Sequence, residues 1–148
     1  MKRQFPLQSI LDLSQLRLDE ATRKLGELIS GQQEATQRLQ LILQYREEYQ
    51  SRFLAAAQNG IGLEAWQNYR AFLERLDAAV AQAREMVATS ERRTAAGQQE
   101  WLNKRGRVKA FDTLAERHRS RVLHAENRQE QKHLDEHAAR RHREKDID

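Results

Sequence analysis

Apolar residues recur at the spacing of a coiled coil between residues 9 and 125, and the pattern breaks once, at residues 58–62. The seven positions of a coiled-coil heptad are lettered a to g, and apolar residues at a and d form the seam between helices. With Leu11 at position a, eleven of the fourteen a and d positions in the first stretch are apolar. The fourteen are Leu11, Ser14, Leu18, Ala21, Leu25, Leu28, Gln32, Ala35, Leu39, Ile42, Arg46, Tyr49, Phe53 and Ala56. This stretch is therefore predicted to form one long amphipathic helix.

The second stretch keeps one register from Trp66 at position a to Ala125 at position d. Thirteen of its twenty a and d positions up to residue 132 are apolar, and the pattern fades beyond Ala125. Because Trp66 and Trp101 both occupy position a, we expect both indoles in the core. A second long helix is predicted.

The break reads Gln58-Asn59-Gly60-Ile61-Gly62, and Asn-Gly is typical of a turn. The predicted fold is all-α: an antiparallel two-helix coiled coil, or α-helical hairpin, in a single domain spanning residues 1–148. Its expected parts are helix one at about 7–57, the turn at about 58–62, helix two at about 63–140 and a charged tail at about 141–148. Facing residues should have numbers that add to about 120–122.

Helix two is much longer than helix one, so this pairing leaves its end without a partner. The seam should be used up near residue 113, and everything from about Leu114 onward should overhang. Near the middle, Leu25 and Gly26 should face residues 95–97, which are small. We expect the two helices to approach closely there, or to be flexible.

The composition supports a thin seam and excludes several kinds of chemistry. Only 39% of the residues are hydrophobic and 32% are charged, and a two-helix seam needs only about two apolar residues in seven. The chain has no cysteine, so disulfides and zinc–thiolate sites are excluded. No secretory signal or membrane span is recognisable, which predicts a cytoplasmic protein. No phosphate-binding loop or catalytic motif is present either, so we expect no enzyme activity, no cofactor and no small-molecule substrate.

The predicted overhang is basic. Residues 103–145 hold thirteen Lys and Arg against seven Asp and Glu, and all five histidines lie beyond residue 117. His133 and His137 have the i, i+4 spacing of a metal pair, but no further ligand motif accompanies them, so no metal is predicted. A basic coiled coil that binds nucleic acid through phosphates is one alternative, although interleaved acidic residues disfavour it. Two further alternatives are that the overhang docks into an acidic protein cavity and that it associates with another copy of itself.

A second candidate surface flanks the seam near the turn. Tyr45, Phe72 and Ala79 occupy position g and widen the apolar stripe along one side. Exposed aromatic residues beside a coiled coil are typical anchors for a protein partner. The competing interpretation is that they only thicken a narrow core.

Several segments that no heptad requires resemble the flagellar FliJ family. They are residues 41–49 (LILQYREEY), Asn59-Gly60-Ile61, Trp66-Gln67-Asn68-Tyr69 with Phe72, and residues 125–132 (AENRQEQK) followed by Asp135-Glu136. The resemblance covers nearly the whole chain. It implies a cytoplasmic component of the flagellar type III protein export apparatus, peripheral at the cytoplasmic side of the inner membrane. The fold it implies is a hairpin resembling the central stalk of rotary ATPases.

The resemblance also implies partners and the residues that contact them. The partners are the hexameric flagellar export ATPase, the cytoplasmic part of the membrane export gate, and export chaperones, with no nucleic acid. Residues matching the family's gate-facing patch are Ile42, Tyr45, Tyr49, Phe72, Leu76 and Ala79. In the overhang, Arg117, Arg121 and Arg128 are the candidates for the ATPase ring.

Overall fold

The structure, a computed structural model, describes residues 4–147 and consists of two long α-helices that pack against each other. Helix α1 spans Gln8–Gln58 and helix α2 spans Leu63–Ile147. The described residues contain no β-strand. The prediction of an all-α, two-helix fold is therefore confirmed.

Helix α2 continues through residues 141–147, where the sequence suggested only a charged tail, and Asp148 lies outside the described residues. This segment is rich in Arg, Glu and Lys, which are good helix formers. His142 and Asp146 approach to 3.7 Å at the i, i+4 spacing that supports an exposed helix.

The chain divides into two compact units, each built from parts of both helices. Unit 1 comprises Met1–Leu18 and Asn103–Asp148, and unit 2 comprises Asp19–Leu102 with the turn.

Polar contacts across the seam of unit 2 define its register. The Trp101 Nε1–H donates a hydrogen bond of 2.9 Å to Thr22 Oγ1, and Arg46 forms an ion pair with Asp77. In both pairs the two residue numbers add to 123. The helices are therefore antiparallel, and the predicted register is correct to within about one residue.

Burial along the helices follows the heptad. All fourteen a and d positions of α1 are buried or half-buried, as are seventeen of the twenty that were predicted for α2. The three exceptions are Trp66, Gln129 and Lys132. The predicted seam is therefore the core of the protein.

Trp66 was wrongly predicted to be a core residue. It is 37% exposed, and the Arg70 guanidinium carbon lies 5.2 Å from the centre of its ring. Trp66 belongs to the first turn of α2, so no preceding helical turn is available to cover the ring. The cation–π contact with Arg70 covers part of the ring instead.

Gly97 lets the two helices of unit 2 come close together. It is buried at position d, and a Cβ at this residue would lie 2.5 Å from Leu28 Cδ1. On the same stretch, the Thr94 hydroxyl donates a 3.3 Å hydrogen bond to the Leu28 carbonyl oxygen. The close approach expected here is confirmed for Gly97, whereas Gly26 faces open space.

The turn between the helices depends on the backbone conformation of Gly60. Gly60 has φ +84°, in the left-handed region, and its N–H donates to the Ala57 carbonyl at 3.2 Å. A left-handed residue just after the last helical turn caps the helix, and glycine adopts this conformation without steric strain. This caps α1 and lets the chain reverse direction into α2.

In unit 1 the paired region is longer than the sequence predicted. Ala115 is buried, and Phe5 packs on His118 with ring centres 5.6 Å apart. The expectation that α2 overhangs from Leu114 onward was therefore wrong by about one helical turn. The reason is that Phe5, which precedes α1, adds a contact that the heptad pattern does not describe. Beyond Ala125, every described residue of α2 is exposed.

The two glycines of the middle section offer a matched test of the close approach. Gly97→Leu should lower the free energy of unfolding by about 1–3 kcal/mol, because the new side chain overpacks the seam at Leu28. Gly26→Leu should raise it by up to about 1 kcal/mol, because a better helix former replaces glycine where no atom is near. Urea unfolding followed by circular dichroism measures both. Equal effects of the two substitutions would mean that the helices are not in close contact at Gly97.

Candidate partner-binding surfaces

Six residues of unit 2 form the first candidate surface, here called the aromatic patch. They are Ile42, Tyr45 and Tyr49 on α1 and Phe72, Leu76 and Ala79 on α2. Position d supplies three of them and position g the other three, so all lie along the same side of the seam. The structure thus brings the six sequence-predicted residues together.

Ring contacts across the seam organise this patch. The Tyr49 ring centre lies 4.4 Å from that of Phe72 and 5.4 Å from that of Tyr69. Tyr45 meets the Phe72 ring nearly edge-on, with centres 6.3 Å apart. Aromatic pairs in such tilted geometries each contribute about 0.5–1.5 kcal/mol beyond area burial. These rings therefore link the two helices and also hold Tyr45 in place.

The patch has an inner and an outer layer. Leu76 is only 9% exposed and belongs to the core, whereas Tyr45 is 49% exposed. The other four residues are half-buried between these extremes. A partner can therefore reach Tyr45 directly, while Leu76 supports the patch from beneath.

Two apolar residues beside the patch were not singled out from the sequence. Leu41 is 67% exposed, and Met86 is also exposed. Leu41 occupies position c, one turn before Tyr45, and Met86 occupies position g, one heptad after Ala79. Their heptad positions on the patch side were the signal that could have identified them.

An ion pair beside the patch lies on the opposite side of the seam. Arg46 occupies an a position, yet it is paired with Asp77 at position e. In each helix, positions e and g flank the seam on opposite sides. Arg46 is therefore paired on the side of the seam away from Tyr45 and Phe72.

The second candidate surface lies on α2 in unit 1. Arg117, Arg121 and Arg128 are exposed, and none forms an ion pair with any residue that the structure describes. All three occupy positions g or c, so they share one side of the helix. Unpaired arginines on an exposed helix are suited to bind anionic groups of a partner.

His133 and His137 lie further along α2 and are both exposed. Within residues 4–147, no group of three or more His, Asp or Glu side chains is arranged to hold a metal ion.

Neither described helix contains an apolar stretch long enough to cross a membrane.

Fold and surfaces together define an α-helical hairpin that carries an apolar aromatic patch and an exposed basic helix. Residues 2–146 match the family model described as Flagellar FliJ protein. The chain belongs to the FliJ family, a family of flagellar export components, as its sequence motifs predicted.

Two curated relatives are members of the same family. The Flagellar FliJ protein of Salmonella typhi is 34% identical over 134 residues, which cover 90% of this chain and 91% of that protein. The Flagellar FliJ protein of Escherichia coli strain K12 is 33% identical with the same coverage.

A solved structure has a similar fold. CT670 from Chlamydia trachomatis, described as a YscO homologue, matches with a TM-score of 0.67 and covers 96% of each chain. Its sequence identity to this chain is only 17%, so the match concerns the fold alone.

Leu76 within the patch and Leu41 beside it should respond differently to substitution by alanine. Leu76→Ala should lower the free energy of unfolding by about 2–3 kcal/mol, because it opens a cavity in the seam. Leu41→Ala should change it by no more than about 0.5 kcal/mol, because this leucine is solvated. Thermal unfolding of the two variants provides the comparison. A large loss of stability with Leu41→Ala would show that this residue is packed rather than available to a partner.

Proposed function

We propose that this protein is a non-enzymatic coupling element of the flagellar type III export apparatus. It links the hexameric export ATPase ring to the cytoplasmic part of the membrane export gate and assists in handling export chaperones. Its location is accordingly cytoplasmic and peripheral to the inner membrane. Family membership and the presence of two different exposed surfaces, one in each compact unit, support this proposal.

The aromatic patch is the proposed contact with the export gate. Tyr45 combines a large exposed ring with an orientation fixed by Phe72, so it loses little conformational freedom on binding. Aromatic anchors of this kind carry a large share of the energy at protein interfaces. Ile42, Tyr49 and Ala79 add half-buried apolar surface around it.

The basic part of α2 is the proposed contact with the ATPase ring. Arg117, Arg121 and Arg128 have no intramolecular carboxylate to neutralise them among the described residues. Beyond residue 125, α2 is also solvent-exposed on all sides. A helix that is not covered by α1 can enter the opening of a ring, where acidic groups would pair with these arginines.

The two contacts should be separable by mutation. Tyr45→Ala should weaken binding to the purified cytoplasmic domain of the export gate at least about ten-fold, because it removes an aromatic anchor. The triple variant Arg117→Glu, Arg121→Glu, Arg128→Glu should weaken binding to the export ATPase about ten-fold or more, because it reverses charge at the contact. Each variant should keep normal affinity for the other partner. Surface plasmon resonance with each immobilised partner measures all four affinities.

Leu54→Ala is the matched control, since Leu54 is exposed on α1 but occupies position b, outside both surfaces. It should leave both affinities unchanged, and circular dichroism should show full helicity for every variant. The coupling proposal fails if either variant loses both partners together, or if Tyr45→Ala binds the gate normally.

A further inference from the structure

A groove in unit 1, on the side of the seam lined by positions c and g, combines exposed aliphatic residues with unpaired arginines. Ile10 and Leu114 occupy position g on the two helices, and their numbers add to 124, close to the 123 of the Phe5–His118 contact. They are therefore level with each other across the seam. Leu13, at the neighbouring position c of α1, extends the apolar surface, and all three are exposed.

Up to residue 125, charge on this side of unit 1 has one sign. From residue 4 to 18 and from residue 103 to 125, positions c and g contain Arg17, Arg107, Arg117 and Arg121 and no acidic residue. Acidic residues of the same segments, such as Asp12, occupy positions b and e on the other side. The groove is thus an aliphatic strip bordered only by positive charge.

None of these four arginines forms an ion pair with any residue between 4 and 147. The ion pairs Lys24–Glu100, Arg46–Asp77, Arg70–Glu74 and Arg92–Glu85 all belong to unit 2. In unit 1, His142 pairs with Asp146 at the far end of α2, away from the groove. The four groove arginines are therefore available to carboxylates from outside.

We propose that this groove binds an amphipathic α-helix of another protein, whose apolar face covers Ile10, Leu13 and Leu114 and whose acidic flanks meet the arginines. The side of a two-helix coiled coil is a shallow groove that a third helix fills by packing its apolar stripe between the two. Charge complementarity then selects an acidic helix over a basic one. An anionic membrane is the weaker fit, because a membrane-surface helix presents a broad apolar face of Trp, Phe or Leu along its length, whereas the apolar surface here consists of Ile10, Leu13 and Leu114 between two helices.

This groove goes beyond the proposed function, although it shares Arg117 and Arg121 with the proposed ATPase contact. The test therefore uses Leu13 and Arg107, which that contact does not include. A failure of ATPase binding and a failure of helix binding can then be told apart.

The probe is a synthetic helical peptide of about three heptads, with leucine on one face and glutamate on both flanks. Fluorescence anisotropy with the full-length protein should show binding that weakens at high salt, because exposed charges are screened. Leu13→Ser and Arg107→Glu should each reduce the affinity about ten-fold, since each removes a central contact. Arg107→Gln, which removes the charge without reversing it, should give a smaller loss in the same direction.

The controls are Leu123→Ser and Arg119→Glu, which make similar changes at positions b and e on the other side of α2. Both should retain the affinity to within about two-fold. A matched peptide with lysine in place of glutamate should bind much more weakly. The proposal is overturned if the lysine peptide binds equally well or if the control variants lose as much affinity. Phosphatidylserine vesicles that bind through Leu13 while the glutamate peptide does not would likewise overturn it, in favour of a membrane surface.

Discussion

The seam between α1 and α2 buries the apolar side chains on which the rest of the protein depends. Its positions are buried or half-buried along the whole of α1, and the most buried side chains are apolar. Each helix contributes only about two residues per heptad to the seam. A shift of register would therefore expose many of these residues to solvent. In the observed register, Gly97 lies against Leu28 and the ring of Tyr49 packs on that of Phe72.

A seam this narrow leaves most of each helix surface free for partners. On the g side of unit 2, aromatic rings both close the seam and reach the solvent, so stability and recognition overlap at Tyr49 and Phe72 and separate only at Tyr45. In unit 1 the corresponding side is aliphatic and basic instead. The two units therefore present different chemistry beside their seams.

The heptad pattern predicted both helices, the turn and the register, because any residue at a or d must face the other helix. It could not predict how far neighbouring residues cover a side chain. Leu76, which the family resemblance assigned to the gate-facing patch, is a core residue, as its position d requires. Trp66 is more exposed than its position a predicted, because it lies in the first turn of α2. The contact of Phe5 with His118 lies outside the pattern and lengthened the paired region. The partners came from the family resemblance, since heptads carry no information about them.

Cysteine cross-linking tests the register most directly, because the chain has no cysteine of its own. In the double variant Leu28→Cys, Thr94→Cys the two thiols should oxidise readily to a disulfide, since the Thr94 hydroxyl is 3.3 Å from the Leu28 carbonyl oxygen. The pair Leu28→Cys, Trp101→Cys, displaced by one heptad, should not cross-link. Efficient cross-linking of the displaced pair, with none at Thr94, would show that the helices pair in another register and would contradict the account.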